Sequence, residues 1–359
     1  MHQTHDTLGG PRLATLASGG CISRVLAVTA RLGLADILDG GSMTPDDLAT
    51  HTGTDRDVLL RILHVLSQYE IFERGPDGTF ALAEEFAALR KDHPHSVRNR
   101  CILLAETYDD AFGALLSTAR TGRPGFDEVF GASLYEYLEG APDAEQVFDA
   151  AMAELARSAA EAVAEQFDFS PVRRVVDIGG GNGTVLGAIL ARNPHLEGVC
   201  VDRPSVCARS AARAAAAGHP LGGRLTFHPA NIFESVADGG DLYLLKNVLH
   251  DWPWHLCLRV LASARNAMVR TAASHLPGAA RPRLIVLEPL LDRDADSVHV
   301  LFRTVISGSG AGDFETPEDM RRLLAEADLE LLSVTRLSSG HHAFECSPRI
   351  PLPSPQGSR

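Results

Sequence analysis

The chain is short of positive charge. Lys and Arg number 33 against 46 Asp and Glu, a formal net charge of -13 over 359 residues. That balance excludes binding to a phosphate backbone as the main role. Paired cysteine spacings are missing too. The six cysteines lie scattered at 21, 101, 200, 207, 257 and 346, which excludes a disulfide framework and a zinc site and fits buried thiols in a reducing cytoplasm. No uninterrupted apolar run reaches membrane-spanning length, and the amino terminus has no charged-then-apolar leader. A soluble cytoplasmic protein is expected. There is no internal repeat and no ligand cluster for a metal. Hydrophobic residues, by contrast, make up 45%, ample for a core, and the length suggests two domains.

The stretch that organises the rest is Val175–Leu190, VVDIGGGNGTVLGAIL. Two β-branched residues lead into Asp177, glycines follow at 179, 180, 181 and 183, and an apolar segment of helical length comes next. That is strand, tight turn, helix. Glycine lets the backbone take positive φ and lets a ligand lie against bare main chain, and the helix start offers unpaired N–H groups. No Gly-Lys-Ser/Thr closes the run, so it is not a P-loop. A pyrophosphate turn wants helix N–H groups and little negative charge. Asp177 at the strand end opposes phosphate and welcomes a cation, which favours S-adenosylmethionine, with its ammonium and sulfonium, over NAD.

Taken in order, Met1 to Arg12 is polar and expected to be loose, and Leu13–Leu38 reads as a helix broken near Gly33. Thr44 caps a short helix with Pro45 at its first position, and a second capped helix runs from Asp55 to Tyr69. Ile71–Leu82 is a hairpin with Asp77-Gly78 at its turn. Helix, helix and two-stranded wing make a winged helix. Its second helix sets Arg56 and Arg61 against Asp55 and Asp57, a neutral face that favours a structural or dimerising role over DNA reading. His95–Ser170 is largely helical, with apolar faces wide enough to pack on another domain or subunit.

From Val175 onward strands and helices alternate, the mark of a doubly wound parallel sheet. Strands are expected at Val175–Ile178, Gly198–Val201, Leu225–His228, Leu242–Leu245 and Arg283–Leu287, with Arg270–Pro282 a surface loop and Glu318–Ala327 a helix. Asp202 lies about twenty residues past the glycines, placed to accept from both ribose hydroxyls. Asn231, Lys246, His250 and Glu288 also follow strand ends. The interesting polar residues therefore gather at the carboxyl ends of strands, the edge where open α/β sheets bind ligands.

VVDIGGGNG, VDRPSV at 201–206, FDAAM at 148–152 and above all DLYLLKNVLHDW at 241–252 resemble the S-adenosylmethionine-dependent small-molecule O-methyltransferases of the caffeate and bacterial polyketide type. The resemblance covers nearly the whole chain. It implies an α/β fold: a helical winged-helix dimerisation domain over residues 1–165, a Rossmann-like class I methyltransferase domain over 166–350, and a disordered tail from 351 to 359. Carried over residue by residue, it implies that Gly179 and Gly181, beside Asp177, line the methionine portion of the cofactor and that Asp202 holds the ribose. Asn231, Ile232 and Phe233 would border adenine with Lys246 beside it. The family usually has Asp where this chain has Asn231, an amide that still accepts from the adenine amino group. Trp252 would pack near the adenosyl group, and Met152 at the substrate boundary; ordinary core packing is the plain alternative for these apolar residues.

His250 would be the general base and Glu288 its orienting partner; a packed or capping histidine and a solvated strand end are the plain alternatives. An imidazolium with pKa near 6.5 and a phenol near 10 make full proton transfer uphill by roughly 5 kcal/mol, so the base helps by removing the proton as the oxygen attacks the methyl. Two departures bear on this. The family often sets a second glutamate against the histidine in a Gly-rich segment; this chain reads GSGAGDFETPEDM at 308–320, with Phe314 at that place and Asp313 or Glu315 as substitutes. Phe302 and Arg303 stand where the family tends to be apolar, so an Arg303 facing the pocket would suit an anionic or carboxylated substrate, while one turned outward would meet solvent or a partner subunit. The expected activity is methyl transfer to a hydroxyl of a small aromatic natural product by a homodimer. The altered segment keeps open cofactor binding without methyl transfer (hydroxylation, decarboxylation or pericyclic chemistry), as well as N- or C-methylation.

Overall fold

The computed structural model describes residues 9–218, 221–274, 281–290, 297–310 and 316–349. The chain divides into two compact units, Met1–Gly113 with Gly140–Glu154, and Ala114–Glu139 with Leu155–Arg359. The expected tail at 351–359 and the residues Asp313, Phe314 and Glu315 lie outside the described residues.

In the first unit, helices span Gly9–Ala17 and Gly19–Leu32, and the second stops at Gly33, whose φ of 67° is left-handed. Part of the amino-terminal stretch expected to be loose, Gly9 to Arg12, is therefore helical. Thr44 caps Pro45–Thr52 by accepting from the Asp47 N–H, and Asp55 caps Arg56–Ser67 by accepting from Asp57 and Val58; such caps are worth about 1 kcal/mol each. Strands β1 (Phe72–Arg74) and β2 (Phe80–Leu82) pair antiparallel as the wing. Leu48, Leu59, Leu63, Leu66, Phe72 and Phe80 bury together beneath it. On the second helix Arg56 is paired with Asp46 and Asp57, which keeps that face neutral. The Glu154 carboxylate accepts from the Asn99 and Arg100 N–H groups and so caps the helix Arg98–Ala105.

The second unit is built on β3 (Arg174–Ile178), β4 (Glu197–Asp202), β5 (Leu225–Pro229), β6 (Leu242–Lys246), β7 (Arg283–Glu288), β8 (Leu329–Arg336) and β9 (His342–Pro348). Their order in the sheet is β5-β4-β3-β6-β7-β9-β8. Alternate residues serve opposite faces: Val176, Ile178, Tyr243, Leu245 and Val286 enter one buried cluster, while Val175, Leu242, Leu244, Ile285 and Leu287 enter another. Strands covered on both faces read as continuous apolar runs, which is why β3, β4, β6 and β7 were legible.

The sheet is not wholly parallel, as the alternation suggested. β9 runs antiparallel to both β7 and β8. After the helix Pro317–Glu326, the chain returns through Gly340, at φ 85°, so this edge closes as a hairpin instead of a crossover. The surface loop expected from Arg270 also begins later, because the helix Trp254–Ser274 runs through that point. No helix among the described residues is long and apolar enough to cross a membrane. Strand order reverses between β3 and β6, and the crevice outside their carboxyl ends is where such sheets take ligands.

Candidate active site

The turn after β3 is tight. A Cβ on Gly180 would lie 2.6 Å from Asp177 Oδ2 and 2.7 Å from Cys200 Sγ, and one on Gly179, at φ 69°, would lie 2.8 Å from Val248 Cγ2. Nothing approaches within 4 Å of the equivalent position on Gly181, at φ 59°, so that glycine opens onto space instead of packing. Asp177 is buried, 1% exposed, and its Oδ2 has no hydrogen-bond partner. Burial pushes its carboxyl pKa up to about 7; the Lys246 cation acts to lower it and the Asp202 charge to raise it. Lys246, at the end of β6, is half-buried, and its pKa falls because of burial, against the opposing charges of Asp177, Glu288 and Asp251.

Asp202 ends β4. Its Oδ2 accepts from the Gly181 N–H at 2.8 Å and its Oδ1 from the Arg203 N–H at 2.7 Å. Past β5, Asn231 is exposed; its Oδ1 accepts from Phe233 N–H and its Nδ2 donates to Glu234. Ile232 and Phe233 are half-buried against the sheet's core. The Phe233 ring meets Trp252 edge-on, with centroids 4.8 Å apart.

His250 sits in a single 3-10 turn, Leu249–Asp251, after β6. Its Nδ1 lies 2.6 Å from Glu288 Oε2, while Glu288 Oε1 accepts from the Val248 and Leu249 N–H groups at 3.1 and 2.9 Å. Glu288 is fully buried. A carboxylate only accepts, so Nδ1 carries the proton and Nε2 keeps its lone pair. Burial by itself would lower the His250 pKa; the charges of Glu288 and Asp251 and the hydrogen bond His250 donates to Glu288 outweigh it and leave the pKa raised, with Arg303 acting to lower it. Arg303 is half-buried on the helix Ser297–Ser307, and its Nε is buried without a hydrogen-bond partner. Phe302 beside it is half-buried. Met152 is in the first unit, against a cluster that includes Ala30, Leu103 and Val147.

Three participants escaped the sequence reading. Asp251, inside DLYLLKNVLHDW, sets Oδ1 3.4 Å from His250 Nε2. Tyr135 donates its hydroxyl to Asp251 Oδ2 at 2.9 Å and stacks against Trp252; nothing in the sequence links residues so far apart. His341, nearly buried, hydrogen-bonds through Nε2 to Asn247 Oδ1 at 3.0 Å. That contact steadies Asn247 in its left-handed conformation, at φ 54°, just before the His250 turn.

Comparison with known proteins bears on this geometry. Residues 112–328 match the model of the O-methyltransferase domain, and residues 14–86 that of the O-methyltransferase dimerisation domain. The 3-amino-4-hydroxybenzoate 4-O-methyltransferase of Streptomyces cremeus is 35% identical, covering 97% of this chain and 92% of its own. The crystal structure of LaPhzM superposes with a TM-score of 0.84 at 30% identity, covering 94% of this chain and 98% of its own. An O-methyltransferase from neocarzinostatin biosynthesis, solved with S-adenosylmethionine and 2-hydroxy-5-methyl naphthoic acid, gives 0.76 at 25% identity, covering 94% of this chain and 98% of its own. Relatives also include an N,N-dimethyltransferase and a hydroxylase. The residues present here fit a cationic, phosphate-free cofactor: an unpartnered carboxylate oxygen on Asp177, open space at Gly181, and the Asp202 carboxylate at the end of β4.

Proposed function

The chain belongs to the O-methyltransferase family and is an S-adenosylmethionine-dependent methyltransferase, and on that premise we propose that it methylates a hydroxyl of a small aromatic acceptor with His250 as general base. The buried 2.6 Å contact between His250 Nδ1 and Glu288 Oε2 carries the reading. The cofactor supplies an electrophilic methyl group on sulfonium. Asp177, Gly179 and Gly181 would hold its methionine end, Asp202 its ribose, and Asn231, Ile232, Phe233, Lys246 and Trp252 its adenosyl portion.

His250 Nε2 would take up the acceptor's hydroxyl proton, making its oxygen the nucleophile. Glu288 fixes the tautomer and stabilises the imidazolium, which raises the base's affinity for the proton. Phe302 borders the acceptor. Arg303, with an unpartnered buried nitrogen, suits an acceptor bearing a carboxylate. The relatives' own substrate names, a hydroxybenzoate and a naphthoic acid, agree with that chemistry. The dimerisation domain supports a homodimer, to be checked by light scattering.

The test is mass spectrometry after incubation with methyl-labelled S-adenosylmethionine and a panel of hydroxybenzoates, hydroxynaphthoic acids, flavonoids and anthraquinones. A labelled ether formed by the wild type and lost in His250→Ala supports the reading. Label transfer that survives His250→Ala removes the base role.

A further inference from the structure

The general base is buried, so the proton it collects needs a way out before the next turnover. The His250 side chain is 14% exposed and that of Glu288 1%. Glu288 offers no exit: Oε1 is held by two backbone N–H groups and Oε2 by Nδ1. On the other side of the ring, Asp251 Oδ1 lies 3.4 Å from Nε2, and the Asp251 side chain is 27% exposed. It is the one carboxylate among the described residues that both faces Nε2 and reaches water.

Asp251 is held there from a distance. Tyr135, on the helix Leu134–Gly140, donates its hydroxyl to Asp251 Oδ2 at 2.9 Å. Its ring stacks on Trp252 at 5.8 Å, and the Arg203 guanidinium lies 5.0 Å over its centroid. Arg203 is itself tied to the Tyr135 carbonyl and to Glu139. With Oδ2 committed to Tyr135, Oδ1 is the oxygen turned to the imidazole.

We propose that Asp251, steadied by Tyr135, is the outlet through which the proton taken by His250 leaves the site. The proposal rests on His250 being the base. The step moves one proton and no other bond: Nε2–H donates to Asp251 Oδ1, the neutral imidazole is regenerated, and the carboxylic acid passes the proton to water or buffer at its exposed edge. That first hop is uphill, because an imidazole is a stronger base than a carboxylate, and solvent drains the small population continuously. The charged groups around the pair are Glu288 and Arg303 on the His250 side and Lys246, which feels the Asp251 charge.

The test needs no acceptor. In protein labelled with 15N-histidine, at a pH where His250 is protonated, solvent exchange of its Nε2–H is measured by NMR, with the Nδ1–H bound to Glu288 as internal reference. Asp251→Asn should slow Nε2–H exchange on the order of 10²-fold and leave Nδ1–H unchanged, and added formate, a small external base, should restore it. Tyr135→Phe should slow it in the same direction by less, and carries the test if Asp251→Asn does not fold. Unchanged exchange in both variants, equal slowing of both ring protons, or slowing that formate does not relieve would overturn the proposal. Because the readout is proton exchange and not methyl transfer, its failure is separable from failure of the base assignment.

Discussion

Two ends of one crevice differ in how much they leave unsatisfied. Around Glu288 every carboxylate lone pair that matters has a donor: two backbone N–H groups and the His250 ring. Around Asp177, two strands away in the sheet, a buried carboxylate oxygen has no partner, and burial pushes its pKa up to about 7. The first end is finished before any ligand arrives, as electrostatic preorganisation requires. The second stores an unmet demand for positive charge, which a cationic ligand relieves. The base end is built for rate, and the turn end for affinity.

Glu288→Gln breaks the finished end most severely. A carboxamide has one acceptor oxygen and one donating nitrogen, so it cannot serve two backbone N–H groups and Nδ1–H together. Turning its NH2 to the ring would force the proton onto Nε2 and remove the basic lone pair. The rate of the chemical step should fall by about 10²–10⁴, close to His250→Ala, with S-adenosylmethionine affinity by calorimetry nearly unchanged. A loss of only a few fold would mean that Glu288 orients nothing the reaction needs.

Asp177→Asn probes the unfinished end, and its sign is opposite for stability and for binding. The folded-state pKa of about 7 lies above the ordinary carboxylate value. The folded protein therefore holds a proton that the unfolded chain has released, and stability falls as pH rises from about 4 to 7. The asparagine variant without ligand should consequently melt higher than wild type at pH 8. A cation prefers the ionised form, so wild-type affinity for S-adenosylmethionine should tighten between pH 6 and 8, up to about tenfold per unit below the pKa. Asp177→Asn should bind 10–100-fold more weakly, the range expected for a charge-assisted contact, and lose that pH dependence. Flat wild-type affinity across the range would detach Asp177 from the cofactor.

Much of this was legible because it is local. Strands β3, β4, β6 and β7 announce themselves as apolar runs, and Asp177, Asp202, Lys246, His250 and Glu288 lie at or just past their carboxyl ends, so the sheet delivers them to a common edge. The antiparallel pair β8 and β9 was not legible. β8 is an edge strand whose mostly exposed residues lack the buried run that marks its neighbours. Nor were the contacts that finish the base end. The Tyr135–Asp251 bond joins positions 116 apart, and the Val248 and Leu249 N–H groups on Glu288 depend on backbone direction, which no residue type encodes. The glycines, conversely, advertised their freedom without saying which of them packs and which opens to a ligand.

That last distinction separates Gly179→Ala from Gly181→Ala. Both positions have positive φ, which costs an alanine about 1 kcal/mol. At Gly181 the added methyl meets nothing, so the effect should be confined to that small stability loss and to weaker cofactor binding. At Gly179 it meets Val248, whose N–H holds Glu288. The same methyl should therefore reach across the crevice and lower the single-turnover rate as well. Equal kinetics for the two variants would show that the ends are independent.

The smallest effect expected is that of Arg303→Gln. Its guanidinium acts to lower the His250 pKa, so removing the charge should move the acidic inflection of kcat/KM upward, by less than about one pH unit for a partly screened charge. The rate would then need a slightly higher pH to reach its plateau. If Arg303 also seats an acceptor carboxylate, the substitution removes the same unit of positive charge in the bound state, and the inflection of kcat should move in the same direction as that of kcat/KM. A carboxylated acceptor should lose affinity in the variant while its methyl ester does not. No shift in either profile would place the Arg303 charge outside the reach of the base, and equal losses for acid and ester would leave Arg303 a steric wall with no anion to hold.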